Sequence, residues 1–330
     1  VDSDTTRNYS GPYLEDWYRT PDIFSWNTEK YRSYIFDDLA LRLLYPPHFS
    51  EDSAKSDLYP LLIYLHGYGE RGPTRDNESQ LKTEGKYFLD LVEKRIFNGF
   101  ILMPQNSDGY WTPADLLRIH ELIDYMVRFK KVDPFRISFK GYSAGAGGVW
   151  RFMRDYPLQI ALGICISHPG GDGEYNPSYI REIPVWLCQG LKDQQSPPAQ
   201  AHWFLQHLKE LGVPIEYSEF PQGGHNLDLE SENDPIFLKL LNKSNKLNPK
   251  LIYSSGLNKT GSSSFPGLYI SEGYPEYQWS KNGIILEKEK SYFLRTNTSG
   301  EYRVRVKVDG DWSYWSPSPV KINSRGKLEP

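Results

Sequence analysis

Residues 135–157 read FRISFKGYSAGAGGVWRFMRDYP. The run RISF alternates apolar and polar side chains as a strand does, and the residues after GYSAG carry helical spacing. One serine, Ser143, therefore stands between Gly141 and Gly145 where a strand turns at once into a helix. A turn that tight brings the flanking positions against backbone, so glycine is required on both sides. The helix start below it offers free N–H groups and the positive end of a dipole. A helix-capping serine after a glycine turn is the plainer alternative.

The surroundings decide between them. LYPLLIYLHGYGERG (58–72) is a continuous apolar run ending in glycines, as a buried parallel strand would be. GFILMPQNS, ALGICIS, IPVWLCQG and PIEYSEF read as further buried strands. Between them lie helical patterns: one around Lys86–Lys94, ADLLRIHELIDYMVRFKKV, PPAQAHWFLQHLKELG with Pro at its start and Gly at its end, and PIFLKLLNK. YIFDDLALRLLY (34–45) reads as one strand. Strands alternating with amphipathic helices give an α/β domain, a mostly parallel doubly wound sheet covered on both faces.

Residues 1–30 lack a clear period and read as an aromatic-rich arm over residues 31–246, the α/β domain. Past KLNPK the pattern changes to short alternating runs with Gly, Ser and Pro turns. Residues 247–330 are expected to form a smaller, all-β immunoglobulin-like sandwich, with Trp279 in its core and Tyr302 at a tyrosine corner. Val304 stands where antibody-like domains carry a second cysteine, so no disulfide staples it.

With 330 residues and a net charge of −4, the chain has room for two unequal domains and no electrostatic footprint for nucleic acid. No apolar window is long enough to span a bilayer. The polar opening VDSDTTRNYSG, without Met, fits a secreted or periplasmic protein whose signal has been removed. Cys165 and Cys188 lie in apolar runs and read as buried free thiols; no Cys/His spacing suits a metal.

A serine hydroxyl needs an adjacent base oriented by a carboxylate. In a strand–GxSxG–helix setting the chain order is Ser, then acid, then His. Asp193 in QGLKDQQSPP and His225 in FPQGGHNL follow the last two strands, at the carboxyl end of the sheet. Asp172 and Asp228 are rival acids. His48 lies in an early loop, His120, His202 and His207 lie on helical patterns, and His168 precedes the acid. An oxyanion needs two N–H donors, expected from Ala144 and from Tyr68 in HGYG, with Gly67 and Gly69 allowing close approach and His66 bracing the loop. Trp111 and Tyr110, in NSDGYWTP, are expected near the pocket mouth, as a substrate-binding aromatic wall or as a packed loop anchor.

On the blocks PLLIYLHGYGERG, ILMPQNSDGYW, RISFKGYSAGAGGVWRFMRDYP, IPVWLCQGLKD and EFPQGGHN, residues 34–245 resemble the α/β-hydrolase superfamily. More narrowly they resemble the secreted predicted-peptidase or phospholipase/carboxylesterase-like group, near feruloyl and polyester-depolymerase-type esterases. Members of that group often carry Met where this chain has Ala144. The resemblance implies ester hydrolysis through an acyl-enzyme on Ser143, His225 and Asp193, without metal or cofactor. The implied substrate is a small ester or an ester-decorated polysaccharide, as for a feruloyl or acetyl esterase. A serine peptidase of the same fold and an inactive carbohydrate-binding protein are the alternatives.

Overall fold

The computed structural model describes residues 11–16, 24–50, 58–73, 76–157, 159–170, 183–210, 215–243, 267–270, 274–308, 311–312, 315–316 and 319–325. The expected boundary at 246 and the rival acid Asp172 lie outside them.

The main frame is a nine-stranded sheet. Its strands are β1 (Glu15–Asp16), β2 (Tyr31–Phe36), β3 (Leu39–Leu44), β4 (Tyr59–Leu65), β5 (Phe100–Pro104), β6 (Val132–Tyr142), β7 (Leu162–Ile166), β8 (Val185–Gly190) and β9 (Ile215–Phe220). They lie in the order β1-β2-β3-β5-β4-β6-β7-β8-β9. Strands β5, β4, β6, β7, β8 and β9 run parallel, and β3 pairs antiparallel with β5. Among the described residues six α-helices accompany the sheet: α1 (Gly85–Glu93), α2 (Pro113–Phe129), α3 (Ala144–Asp155), α4 (Pro198–Glu210), α5 (Asp228–Asn233) and α6 (Pro235–Lys243).

Alternation along the strands divides the core in two. Leu61, Ile63 and Leu65 of β4 face one cluster with Ile119, Val149 and Phe204, which belong to α2, α3 and α4. Leu62 and Tyr64 face the other, with Phe88 of α1 and Phe237 of α6. Strands buried on both faces must be apolar at every position, which is why FILMP and LGICI read as unbroken runs. Cys165 and Cys188 are buried free thiols on neighbouring strands, and burial pushes both well above the ordinary thiol range.

Three elements differ from the sequence expectation. The 34–45 run is not one strand: it holds the end of β2, a turn and all of β3, which fold into a hairpin with Phe36 opposite Leu39. Asp37 and Asp38 turn the chain at φ +45° and +62°, a two-residue loop that Asp tolerates in the left-handed region. Strand β6 begins at Val132, before Asp133-Pro134, and its register with β4 slips between Tyr59 and Leu61, so that Val132 and Ile137 are successive partners. The short helix α5 has no apolar period in its sequence DLESEN. Of the arm, β1 adds to the sheet edge against β2, and Phe24 and Trp26 pack against the second core cluster.

The C-terminal strands are β10 (Gly267–Tyr269), β11 (Tyr277–Lys281), β12 (Ile284–Ile285), β13 (Phe293–Arg295), β14 (Gly300–Val308), β15 (Asp311–Trp312) and β16 (Val320–Ile322). All their pairings are antiparallel, in a β10-β13 pair and a sheet centred on β11 and β14. Trp279, opposite Val304, is 1 % exposed in a cluster of its own with Leu268, Leu294 and Tyr302. The Tyr302 hydroxyl donates to the Thr298 carbonyl at 2.9 Å.

Candidate active site

At the carboxyl end of β6 the backbone of Ser143 adopts φ +52°, ψ −117°, a conformation few non-glycine residues hold. The surrounding chain leaves it no alternative. A Cβ at Gly141 would lie 2.4 Å from the Gly145 carbonyl oxygen, and one at Gly145 would lie 1.8 Å from the Leu65 oxygen. The Ser143 N–H donates to Ile166 O of β7 at 2.9 Å, which ties the elbow to the neighbouring strand. Helix α3 starts at the next residue, so the hydroxyl sits on top of the sheet.

The structure brings Ser143, His225 and Asp193 together from three connections. His225 Nε2 lies 2.9 Å from Ser143 Oγ, and Nδ1 lies 2.9 Å from Asp193 Oδ2. Asp193 is 3 % exposed, and its Oδ1 accepts the N–H groups of Gln195 and Ser196 at 2.8 and 2.9 Å. With Oδ1 so committed, the carboxylate presents Oδ2 as an acceptor, which places the imidazole proton on Nδ1. Nε2 is left as the acceptor for the Ser143 hydroxyl. The imidazole is further held through its backbone: Ser167 Oγ donates to His225 O at 2.6 Å.

Asp228 does not join this chain of bonds. It opens α5, and burial raises its carboxyl above the ordinary range. His48 bonds Arg95, His120 stacks on Tyr156, His202 pairs with Glu219 and His207 lies under Trp203, so four of the remaining imidazoles are occupied elsewhere.

Tyr68 and Ala144 line the same pocket as Ser143, and neither backbone N–H donates to a protein acceptor among the described residues. The loop carrying Tyr68 is held from below. Gly67 N–H donates to Glu70 Oε2 at 2.8 Å, and the Tyr64 hydroxyl donates to the same oxygen at 3.2 Å. His66 is fully buried; it receives the Asn106 N–H on Nε2 at 3.0 Å and donates from Nδ1 to Gly67 O at 2.8 Å. Burial lowers its pKa to about 4, which keeps it neutral and fits the one-donor, one-acceptor geometry. Of the two loop glycines only Gly67 is needed for close approach: a Cβ there would meet the Tyr142 ring at 2.8 Å, whereas Gly69 faces open space.

The two aromatic residues expected at the mouth separate. Tyr110 is 61 % exposed, lines the pocket and leans on the Tyr68 ring at 5.4 Å. Trp111 is 1 % exposed: its indole N–H donates to His66 O at 3.1 Å and its ring packs edge-on to His66. It is a buried anchor in the pocket wall, not a rim residue.

The pocket encloses about 780 Å³. Sequence reading missed several side chains that shape it, among them Arg151, His168 and Trp203. Trp203 is 63 % exposed on α4. Ala199, Gln200 and Trp203 share one face by helical spacing and all line the pocket, a pattern visible in the sequence once α4 is known to border the site. Among the described residues no group of three or more His, Cys, Asp or Glu could hold a metal ion, and no helix is long and apolar enough to cross a membrane.

No family model matches the chain, and no curated protein matches it in sequence. Many solved structures match its fold. A thermostable esterase superposes with a TM-score of 0.58 at 22 % identity, over 66 % of this chain and 64 % of that one. The match thus spans under two thirds of that esterase. A ferulic acid esterase gives 0.48 at 16 % identity, over 62 % of this chain and 91 % of that one. A carboxylesterase from Mesorhizobium loti gives 0.44 at 18 %, over 62 % and 94 %. The strand order and the likeness to the first establish an α/β-hydrolase fold.

Proposed function

We propose that this chain is a serine hydrolase of carboxylic esters, with Ser143 as nucleophile, His225 as base and Asp193 as the acid that orients it. The observation that carries the reading is the unbroken set of bonds from Asp193 through His225 to Ser143, opening into a pocket beside two backbone N–H groups that meet no acceptor among the described residues. Ser143 Oγ attacks the ester carbonyl as its proton passes to His225 Nε2. The oxyanion of the tetrahedral intermediate is received by the N–H groups of Ala144 and Tyr68. Collapse expels the alcohol with the proton from His225, leaving an acyl group on Ser143. Water activated by the same imidazole then releases the acid.

The substrate reading is a feruloyl- or acetyl-type ester on a polysaccharide, met outside the cytoplasm. An open pocket lined by the exposed rings of Tyr68, Tyr110 and Trp203 supports it, since aromatic faces stack on sugar and phenolic rings. The same proposal divides the chain into an arm (1–30), a hydrolase unit (31–246) and an immunoglobulin-like unit (247–330). The buried Trp279 and the Tyr302 hydroxyl bonded back to Thr298 support the last of these.

The test is turnover of p-nitrophenyl acetate, p-nitrophenyl butyrate, methyl ferulate, acetylated xylan and a peptide anilide by wild type and Ser143→Ala. Ester turnover that vanishes in the variant is expected. Equal turnover in both would remove Ser143 as nucleophile, and anilide cleavage exceeding ester cleavage would make the enzyme a peptidase.

A further inference from the structure

We infer that Arg151 is an anion-binding residue of this pocket, and that the preferred ester carries a carboxylate on the part of the substrate lying along α3. The inference deepens the ester-hydrolase reading and rests on it for the position of the reacting carbonyl.

Ser143 caps α3, Gly147 and Arg151 follow it at intervals of four along one face of the helix, and all three line the pocket. Gly147 leaves this face open between the nucleophile and the guanidinium. A Cβ there would already approach the His168 ring at 3.5 Å, so a larger side chain would close the path. Eight residues of helix rise about 12 Å, and an arginine on a helix leans back toward the N-terminus. The guanidinium therefore stands roughly 6 to 12 Å from the reacting oxygen.

Among the described residues its charge has no acidic counterpart. No Asp or Glu is among the pocket's described lining, where Arg151 is the one permanently charged side chain. The carboxylate at the usual helical spacing, Asp155, is held by Arg154 through Nε and Nη2 at 2.6 and 3.0 Å. The described contact of the Arg151 guanidinium is neutral: Nη1 donates to Trp111 O at 3.1 Å. That bond orients the planar fork and leaves its other donors for a ligand. A half-buried arginine fixed in place, with no acid among the described lining of its pocket, is matched by a carboxylate, whose two oxygens fit the fork. A purely structural role in holding the Trp111 loop would need only one donor and no charge.

Two measurements separate this proposal from the hydrolase reading. In the first, kcat/KM is compared between mono-p-nitrophenyl suberate and its methyl-capped neutral analogue. Wild type should favour the acid at least tenfold, mainly through KM. Arg151→Gln should abolish that ratio and Arg151→Lys should keep part of it. In the second, binding of monomethyl suberate and dimethyl suberate to Ser143→Ala is measured by calorimetry, which needs no turnover. The half-ester should bind at least tenfold more tightly, and Arg151→Gln introduced into that variant should erase the difference. Equal binding of the two ligands to Ser143→Ala, or a Gln variant that weakens both alike, would overturn the anion site even if esters are hydrolysed. A preserved binding difference with no hydrolysis of any ester would instead leave the anion site standing and remove the hydrolase reading.

Discussion

Asp193→Asn is the substitution whose consequence follows most fully from the geometry. Oδ1 of Asp193 accepts two backbone N–H groups, from Gln195 and Ser196. An asparagine must place its carbonyl oxygen there, since an amide NH2 would face two donors. Its NH2 is then turned toward His225 Nδ1, which can bond it only as an acceptor. The imidazole proton moves to Nε2 and points at Ser143 Oγ, so the base has lost the lone pair it needs. Every heavy atom stays in place, yet the tautomer is wrong. The expected loss in kcat is about 10⁴-fold, or roughly 5 kcal/mol of transition-state stabilisation. Stopped or steady-state hydrolysis of p-nitrophenyl acetate reads the rate, and thermal unfolding checks that the fold is retained. Asp228→Asn is the control, expected to stay within about threefold because Asp228 has no contact with the imidazole. An Asp193→Asn enzyme within tenfold of wild type would refute the assignment of the orienting acid.

Two further outcomes follow from the packing and the buried charges. Gly145→Ala puts a Cβ where the Leu65 carbonyl oxygen already stands, so a loss of about 3 kcal/mol or more in urea unfolding is expected, with the elbow displaced. Glu70, buried under the Tyr68 loop, has its pKa raised by desolvation from 4.5 to about 7, so the folded state keeps a proton that the unfolded chain releases. The stability this provides is complete below pH 4.5 and is lost as pH rises through 7, by about 3 kcal/mol. Glu70→Gln keeps a neutral acceptor for the Gly67 N–H, and its urea-unfolding free energy should fall less steeply than that of wild type between those pH values. His66 works in the opposite direction, its contribution present above pH 6.5 and lost as pH falls through 4, so the difference between variant and wild type isolates Glu70. Parallel stability profiles for the two proteins would show that Glu70 is not held in its neutral form.

The elbow was legible because its demands are steric and local: only glycine fits at 141 and 145, and only a strand followed by a helix places them so. The parallel strands were legible because burial on both faces leaves runs such as LGICI with no polar position. The hairpin at Asp37–Asp38 was hidden because its flanks read as one continuous pattern and Asp-Asp is a weak turn signal. Helix α5 carries no apolar stripe, its DLESEN sequence being settled by its place between β9 and α6. The depth of Trp111 and the height of Trp203 depend on which surface each meets, and spacing along one segment does not carry that. Arg151 shows the same limit, since the absence of an acid from its described surroundings emerges only once Asp155 is seen to pair with Arg154.

The most direct test of the central claim is covalent: the folded protein is treated with a fluorophosphonate and the modified peptide is sequenced by mass spectrometry. One adduct per chain, on Ser143, formed by wild type and lost in His225→Ala, is the expected result. A folded protein that takes up no phosphonate, or takes it up on a different serine, would contradict it.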